Sequence, residues 1–243
     1  PTGVDMSKMK IEISSLRAKK YGLDLNSKLV AFLPYYAPVA SKFALIMNLR
    51  DKLPGLAKLS ELLIGFTSKR PLPKWRRDYF KDNELPNNLN NIKSTTPVIL
   101  FVDTFNRYYE PENVRSAIKV LKKAGYYPFI PTLTNSSKTL CCGRTYLSNG
   151  LIDNAKKEIL NILNTFRPYL MQGISIVGLE PSCILSFRDE IPNLIKSEDT
   201  EYLKNNSYTF EELLSKKSKK IKFRSLNKKV LLHGHCHQKA FDA

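Results

Sequence analysis

Hydrophobic positions follow two different rhythms along this chain. In the first ninety residues the spacing is helical. Val4, Met6, Met9, Ile11, Ile13 and Leu16 recur at helical intervals behind Thr2 and Gly3, with Asp5 placed to meet the positive end of a helix. Residues 29–49 and 56–66 are further apolar helical stretches, interrupted by Pro34, Pro38 and Pro54. A basic, proline-marked connector comes next, Ser68-Lys69-Arg70-Pro71-Leu72-Pro73-Lys74-Trp75-Arg76-Arg77, and then a polar run over 83–96. Such punctuation marks a domain boundary. It divides the chain into a helical segment, 1–92, and a second unit, 93–243.

From Pro97 onward short apolar runs alternate with amphipathic stretches. Val98-Ile99-Leu100-Phe101-Val102 is a continuous apolar run, the pattern of a strand buried on both faces. The spacing predicts a helix over 111–124, with Pro111 at its start and Gly125 past its end. It predicts a second strand over 126–130, then a strongly periodic helix over 151–170 ended by Gly173. Residues 174–179 read as a third strand, with a helix opening near Ser182. After a Lys-rich stretch, Val230-Leu231-Leu232 reads as a fourth strand. Strands alternating with helices predict an α/β fold with a parallel, doubly wound sheet, preceded by the helical segment.

Composition narrows the picture. Of 243 residues, 42% are hydrophobic and 25% charged, which excludes wholesale disorder. The basic excess, 39 against 22 acidic residues for a net charge of +17, permits binding to nucleic acid or anionic lipid without establishing either. Codon usage biased toward A and T also produces Asn- and Lys-rich loops. The run Lys216-Lys217-Ser218-Lys219-Lys220-Ile221-Lys222-Phe223-Arg224 lacks the aromatic spacing of a base-stacking platform, so it reads as a solvated linker or helix end. Nucleic acid is not an expected partner. The longest apolar stretch, 30–47, is broken by Pro34, Pro38 and Lys42 and falls short of the ~20 apolar residues of a membrane span. No signal peptide or Gly-x-Gly-x-x-Gly fingerprint is visible. The chain opens on Pro1 rather than Met and stops shortly after a His/Cys cluster, so it reads as an internal portion of a longer polypeptide.

All four cysteines fall in the α/β unit, and their positions track its strands. Cys141-Cys142-Gly143 ends the loop after the second strand, Cys183 follows the third, and Cys236 follows the predicted fourth. Asp103 directly follows the first. In an open parallel sheet the loops beyond the carboxyl ends of the strands converge, so these distant groups are expected to meet at one edge. Soft thiolates select zinc, copper(I) or iron–sulfur clusters. Gly143 lets the backbone turn tightly, and a helix start at Cys183 is expected to favour its thiolate. His233, His235 and His237 flank Cys236 and are the chain's three histidines. A tetrahedral zinc site using the thiols, or a mixture with His235 and His237, is the rival reading, although no Cys-x-x-Cys knuckle is present. A zinc-stabilised basic binding module is the alternative of another class. Arg188-Asp189-Glu190 reads as surface salt bridging or as a support for a site ligand. Arg107, Tyr108 and Tyr109 read as facing a partner domain or capping the next helix.

The motifs Phe101-Val102-Asp103-Thr104-Phe105, Leu140-Cys141-Cys142-Gly143-Arg144, Gly178-Leu179-Glu180-Pro181-Ser182-Cys183, Arg188-Asp189-Glu190 and His233-Gly234-His235-Cys236-His237 carry a family resemblance. They resemble the cysteine-rich "CCG" domain of heterodisulfide reductases. Their wording is closer to the carboxyl-terminal region of FAD-linked oxidases of D-2-hydroxy acids such as D-lactate or D-2-hydroxyglutarate. The opening Pro1-Thr2-Gly3-Val4-Asp5 is similar to the stretch after the last cysteine of the ferredoxin-like segment in those enzymes. The resemblance implies a CCG-type α/β domain over 93–243, cut short in its second repeat.

It further implies an iron–sulfur electron-transfer role, with a cluster of 4Fe–4S type held by Cys141, Cys142, Cys183 and Cys236. Asp103, Glu180, His235 and His237 are additional candidate ligands. FAD would lie in another part of the polypeptide or in a partner subunit, and no catalytic residue is expected in this stretch. Asp103 stands where the family pattern has its first cysteine, and Glu180 where it opens a Cys-x-x-Cys pair. A site completed by ligands from both repeats is therefore expected. Separate iron–sulfur subunits of glycolate oxidase, anaerobic glycerol-3-phosphate dehydrogenase or lactate-utilisation complexes are the second family reading. The implied setting is cytoplasmic, alternatively peripheral at the inner membrane face, with the full-length protein a homo-oligomer.

Overall fold

Among the residues described by the computed structural model, 5–89, 95–133, 138–217 and 227–240, four parallel strands make one sheet. They are β1 (Thr96–Phe101), β2 (Tyr126–Phe129), β3 (Ser175–Gly178) and β4 (Ser207–Thr209), in the order β2-β1-β3-β4. β1 pairs with β2 from Thr96 opposite Tyr126, and with β3 up to Phe101 opposite Gly178. The chain steps to one side of β1 for β2 and to the other for β3. That reversal opens a crevice at the carboxyl ends of β1 and β3.

The continuous apolar run of β1 exists because helices cover both faces. Successive side chains point to opposite faces. Val98, Leu100 and Val102 therefore meet Val114, Ile118 and Leu121 of the helix Pro111–Lys123, while Ile99 and Phe101 meet Ile159, Ile162 and Phe166 of the helix Ile152–Leu170. Pro128 is tolerated in β2 because that strand is at the sheet edge, where a missing amide donor costs no ladder bond. Gly125, with φ +85°, ends the helix before β2.

The fourth strand is elsewhere than the sequence predicts. Val230, Leu231 and Leu232 are almost fully exposed and form no strand, whereas Ser207-Tyr208-Thr209 pairs with β3, Ile176 opposite Ser207 and Gly178 opposite Thr209. Placement beside β3 outweighs the higher strand propensity of the apolar triplet, because a strand is stabilised by its neighbours. Ser207 Oγ donates to the Leu203 carbonyl at 2.6 Å, and the Thr209 amide donates to Glu212 Oε2 at 2.9 Å.

Glu212 also accepts two hydrogen bonds from Arg188, at 3.0 and 2.8 Å. Burial pushes its carboxyl up, but the Thr209 amide and the Arg188 guanidinium outweigh burial and hold it below the ordinary glutamate value of 4.5. Because the folded value is the lower one, this contribution to stability is complete above 4.5 and is lost as pH falls through the depressed folded value. Urea denaturation midpoints at neutral and acidic pH should therefore fall less steeply for Glu212→Gln than for the parent chain. Equal slopes would show that the clamp does not contribute.

The amino-terminal helices are Met6–Tyr21, Leu25–Ala31, Leu33–Lys42, Ala44–Met47 and Leu56–Ile64. Asp5 caps the first, accepting from the Ser7 and Lys8 amides at 3.0 and 3.2 Å. Pro38 lies inside the third helix instead of ending it. Packing of Ala37 and Ala40 with Trp75 and Tyr108 compensates for the lost backbone bond.

These helices share hydrophobic clusters with the α/β unit. Ala31 packs with Tyr146, Leu147 and Ala155, and Thr145 Oγ1 donates to the Ala31 carbonyl at 3.0 Å. The connector contributes Phe80 and Leu85 to the sheet-face cluster around Val98 and Leu100. Arg107 is buried beneath it, bonded to Asp82 at 2.6 Å, so it fastens the connector and does not face outward. Leu45, Ile46, Leu62 and Leu63 remain exposed on the helical segment. No described helix is long and apolar enough to cross a membrane. The opening Pro1-Thr2-Gly3-Val4 motif, part of the 83–96 run and most of the Lys216–Arg224 run lie outside the described residues.

Candidate metal centre

The crevice beyond β1 and β3 is lined by Cys141, Cys142, Cys183, Asp103 and Arg144, with Pro34 of the helical segment closing one side. Each element delivers its residue for a local reason. Gly143, at φ +78°, lets the chain reverse into the helix Arg144–Ser148, and an added Cβ there would lie 3.2 Å from the Ala155 backbone. Its amide donates to Cys141 Sγ at 3.4 Å. Cys183 sits in the helix Pro181–Ile184 that comes directly after β3. Cys142 Sγ lies 3.0 Å from Cys183 Sγ, although 41 positions separate the two residues. All three thiols are buried.

The two acidic candidates, Asp103 and Glu180, are helix caps. Asp103 is buried, and its Oδ1 accepts from the Phe105 and Asn106 amides at 2.9 and 3.0 Å. Its Oδ2 accepts from Asn106 Nδ2 at 2.7 Å. Burial raises its carboxyl, with the Asn106 donors opposing. Glu180 Oε1 accepts from the Ser182 amide at 3.2 Å and from Ser182 Oγ at 2.6 Å.

Electrostatics disfavour bare thiolates here. A hydrogen bond with Cys142, then burial, pushes the Cys141 thiol up. For Cys142 the hydrogen bond with Cys141 favours the thiolate, but the bond with Cys183 and burial prevail and the thiol is pushed up. For Cys183 a hydrogen bond with Cys142 also favours the thiolate, and burial and the negative groups at Asp103, Cys141 and Glu180 outweigh it. This overturns the expectation that a helix start makes Cys183 a ready thiolate: the helix is four residues long and its donors are already taken by Glu180. A bound cationic centre would supply the compensating charge, since coordination deprotonates thiols. Three buried soft donors whose nearest partners are one another fit an iron–sulfur cluster or another thiophilic metal.

Cys236 does not join them. It is exposed at the start of the helix Cys236–Ala240 and is not among the residues lining the crevice. Val230-Leu231-Leu232 forms no strand, and although the helix Cys236–Ala240 packs against the Cys183 helix Pro181–Ile184, the Cys236 thiol itself stays exposed. His235 caps the short helix instead, its Nδ1 accepting from the His237 amide at 3.1 Å, and His233 is exposed. His237 turns toward Asp189 and Glu190.

Sequence reasoning missed the ion pair between Arg144 and Glu190. Glu190 is buried, so the acids after Cys183 turn inward and one of them holds the arginine that lines the thiol crevice. The closeness of Arg144 to Cys-Cys-Gly was the available signal. Pro34 had none, because its position depends on how the helical segment packs.

A crevice with buried thiols at the switch point of a parallel sheet offers the donors that a soft-metal or redox centre requires. Within that class, the chain is 25% identical over 203 residues to a subunit of the anaerobic glycerol-3-phosphate dehydrogenase of Escherichia coli K12, covering 82% of this chain and 50% of that one. It is 24% identical over 209 residues to D-2-hydroxyglutarate dehydrogenase of Haemophilus influenzae, and 22% over 210 residues to that of E. coli K12. Those matches cover 80% and 83% of this chain and 20% of each enzyme. The chain thus spans about half the length of the first relative and a fifth of the others. No family model and no solved structure matches it. The similarity is to dehydrogenases, an oxidoreductase relationship.

Proposed function

We propose that this region is the iron–sulfur electron-transfer portion of a flavin-linked dehydrogenase. The observation that carries the reading is the meeting of Cys142 and Cys183 at 3.0 Å, with Cys141 beside them, in a buried crevice at the sheet's switch point. Cys141, Cys142 and Cys183 would hold the cluster. An iron–sulfur cluster, when bound, accepts and releases single electrons. The chain's own residues exclude water through burial, orient Cys141 through the Gly143 amide, and place the Arg144 guanidinium near the sulfurs. Asp103 and Glu180 are proposed as cap residues that hold the crevice open and tune its charge. His235 and Cys236 stay with the second repeat.

Electrons would arrive from a flavin domain in the same chain or a flavin-carrying partner, and the apolar side chains Leu45, Ile46, Leu62 and Leu63 support such a contact. A D-2-hydroxy acid is the first substrate reading, from the wording of the motifs. Glycerol 3-phosphate is the second, favoured by similarity to half the length of a glycerol-3-phosphate dehydrogenase polypeptide against a fifth of the D-2-hydroxyglutarate enzymes. The test is anaerobic purification of the full-length polypeptide, with any flavoprotein that co-purifies. Iron, acid-labile sulfide and a broad visible band are expected, with bleaching of that band by one substrate class. Absence of iron and sulfide would reject the proposal.

A further inference from the structure

The loop after the Cys183 helix carries a second constellation, joined to the thiol crevice through the Arg144–Glu190 pair. Asp189 and Glu190 project toward His237, which the chain returns to them from 47 positions beyond Glu190. Each carboxylate divides its oxygens in the same way. Asp189 Oδ1 takes Lys8 Nζ at 3.5 Å and Asn193 Nδ2 at 3.2 Å, whereas Oδ2 faces His237 Nε2 at 4.0 Å. One Glu190 oxygen, Oε1, pairs with Arg144, whereas Oε2 faces His237 Nε2 at 3.9 Å. Glu190 is 4% exposed, and its Oε2 has no hydrogen-bond donor among the described residues.

A buried carboxylate oxygen without a donor is costly, so the arrangement asks for a positive partner at that point. The imidazole is too far to be that partner directly, since 3.9 Å exceeds a hydrogen bond. The spacing suits something between the groups. Donors about 2.0–2.2 Å from a tetrahedral ion lie ~3.4 Å apart, so about half an ångström of closure would bring each carboxylate oxygen to that distance from the imidazole. The three ligand atoms already lie within 4.8 Å of one another.

The geometry points to a divalent cation site formed by Asp189 Oδ2, Glu190 Oε2 and His237 Nε2, separate from the thiol centre. One imidazole and two carboxylates are the donors of a borderline ion such as zinc, with water completing the shell. Arg144 and Lys8 occupy the outer oxygens and weaken the attraction, but they leave the inner oxygens to the ion. Binding would tie the helix Cys236–Ala240 to the loop beyond Cys183. It would thereby fix the segment that bears Cys236 relative to the first repeat.

The test uses the full-length polypeptide, freed of divalent ions by a chelator and titrated anaerobically with Co2+ alone. Cobalt on nitrogen and oxygen donors gives weak visible bands, whereas cobalt on thiolates adds intense near-ultraviolet charge transfer, so the two sites are read separately. The expected result is a saturable weak visible component, displaced by Zn2+, that disappears in His237→Ala and persists in Cys236→Ser. Because Glu190→Gln perturbs Arg144, His237→Ala is the primary variant, with circular dichroism to check its fold. A visible component unchanged in His237→Ala, or none at any Co2+ concentration, would overturn the site. Neither outcome depends on whether an iron–sulfur cluster assembles.

Discussion

Replacing Cys183 by Ser should remove nearly all iron and acid-labile sulfide from the full-length polypeptide, and Cys142→Ser should do the same. The two sulfurs lie 3.0 Å apart and are buried, so each helps define one compact donor set. A serine oxygen is a hard donor that seldom ionises, whereas the proposed centre selects soft thiolates. The fold should survive, because the substitution changes one buried atom in a crevice walled by the segments that follow the strands and by Pro34. Cys236→Ser should retain most of the metal, because that thiol is exposed and outside the crevice. Iron and sulfide analysis together with the visible spectrum decides the matter. Full metal content in Cys183→Ser, or equal loss in Cys236→Ser, would contradict a three-thiol centre.

Gly150→Ala should be strongly destabilising, far more so than Gly173→Ala. Gly150 has φ +75°, and an added Cβ would lie 2.4 Å from the Ser14 backbone carbon. The left-handed backbone costs about 1–2 kcal/mol for a residue bearing a Cβ. Overpacking adds roughly 1–3 kcal/mol, and here the obstacle is backbone and cannot rotate away. Gly173 supplies the control: its φ is +69°, but a Cβ there meets nothing within 4 Å. Gly173→Ala should therefore show the conformational cost alone. Denaturation of the two variants measures how tightly the helix Met6–Tyr21 is seated on the α/β unit. Equal destabilisation would mean that this close approach is absent in solution.

Local chemistry was legible wherever it acts over a few residues. Asp5 caps the first helix, and Pro111 and Gly125 bound the helix between β1 and β2, as their types require. The apolar run of β1 announced a strand covered on both faces. Pro38 misled, because a proline that ends an isolated helix is held inside this one by tertiary packing. The apolar triplet Val230-Leu231-Leu232 misled for the opposite reason: propensity without a neighbouring strand forms no ladder.

The candidate site divides along the same line. Cysteines placed just after predicted strands could be mapped to one sheet edge, and for Cys141, Cys142 and Cys183 that mapping holds. Their raised thiols could not be foreseen, because burial and the charges of Asp103 and Glu180 depend on the assembled crevice. The Arg144–Glu190 pair and the approach of His237 to Asp189 and Glu190 were likewise invisible.

By itself the sequence determined the alternation of strands and helices, the parallel sheet and the placement of Cys141, Cys142 and Cys183 beyond its strands. These arise from periodicity, caps and turns, which operate between residues close in the chain. Only the tertiary structure decided which segment became the fourth strand, that Cys236 stayed outside the crevice, and that two acids and a histidine came to face one another. Those outcomes depend on packing between distant segments, where burial and pairing outweigh what any short stretch prefers alone.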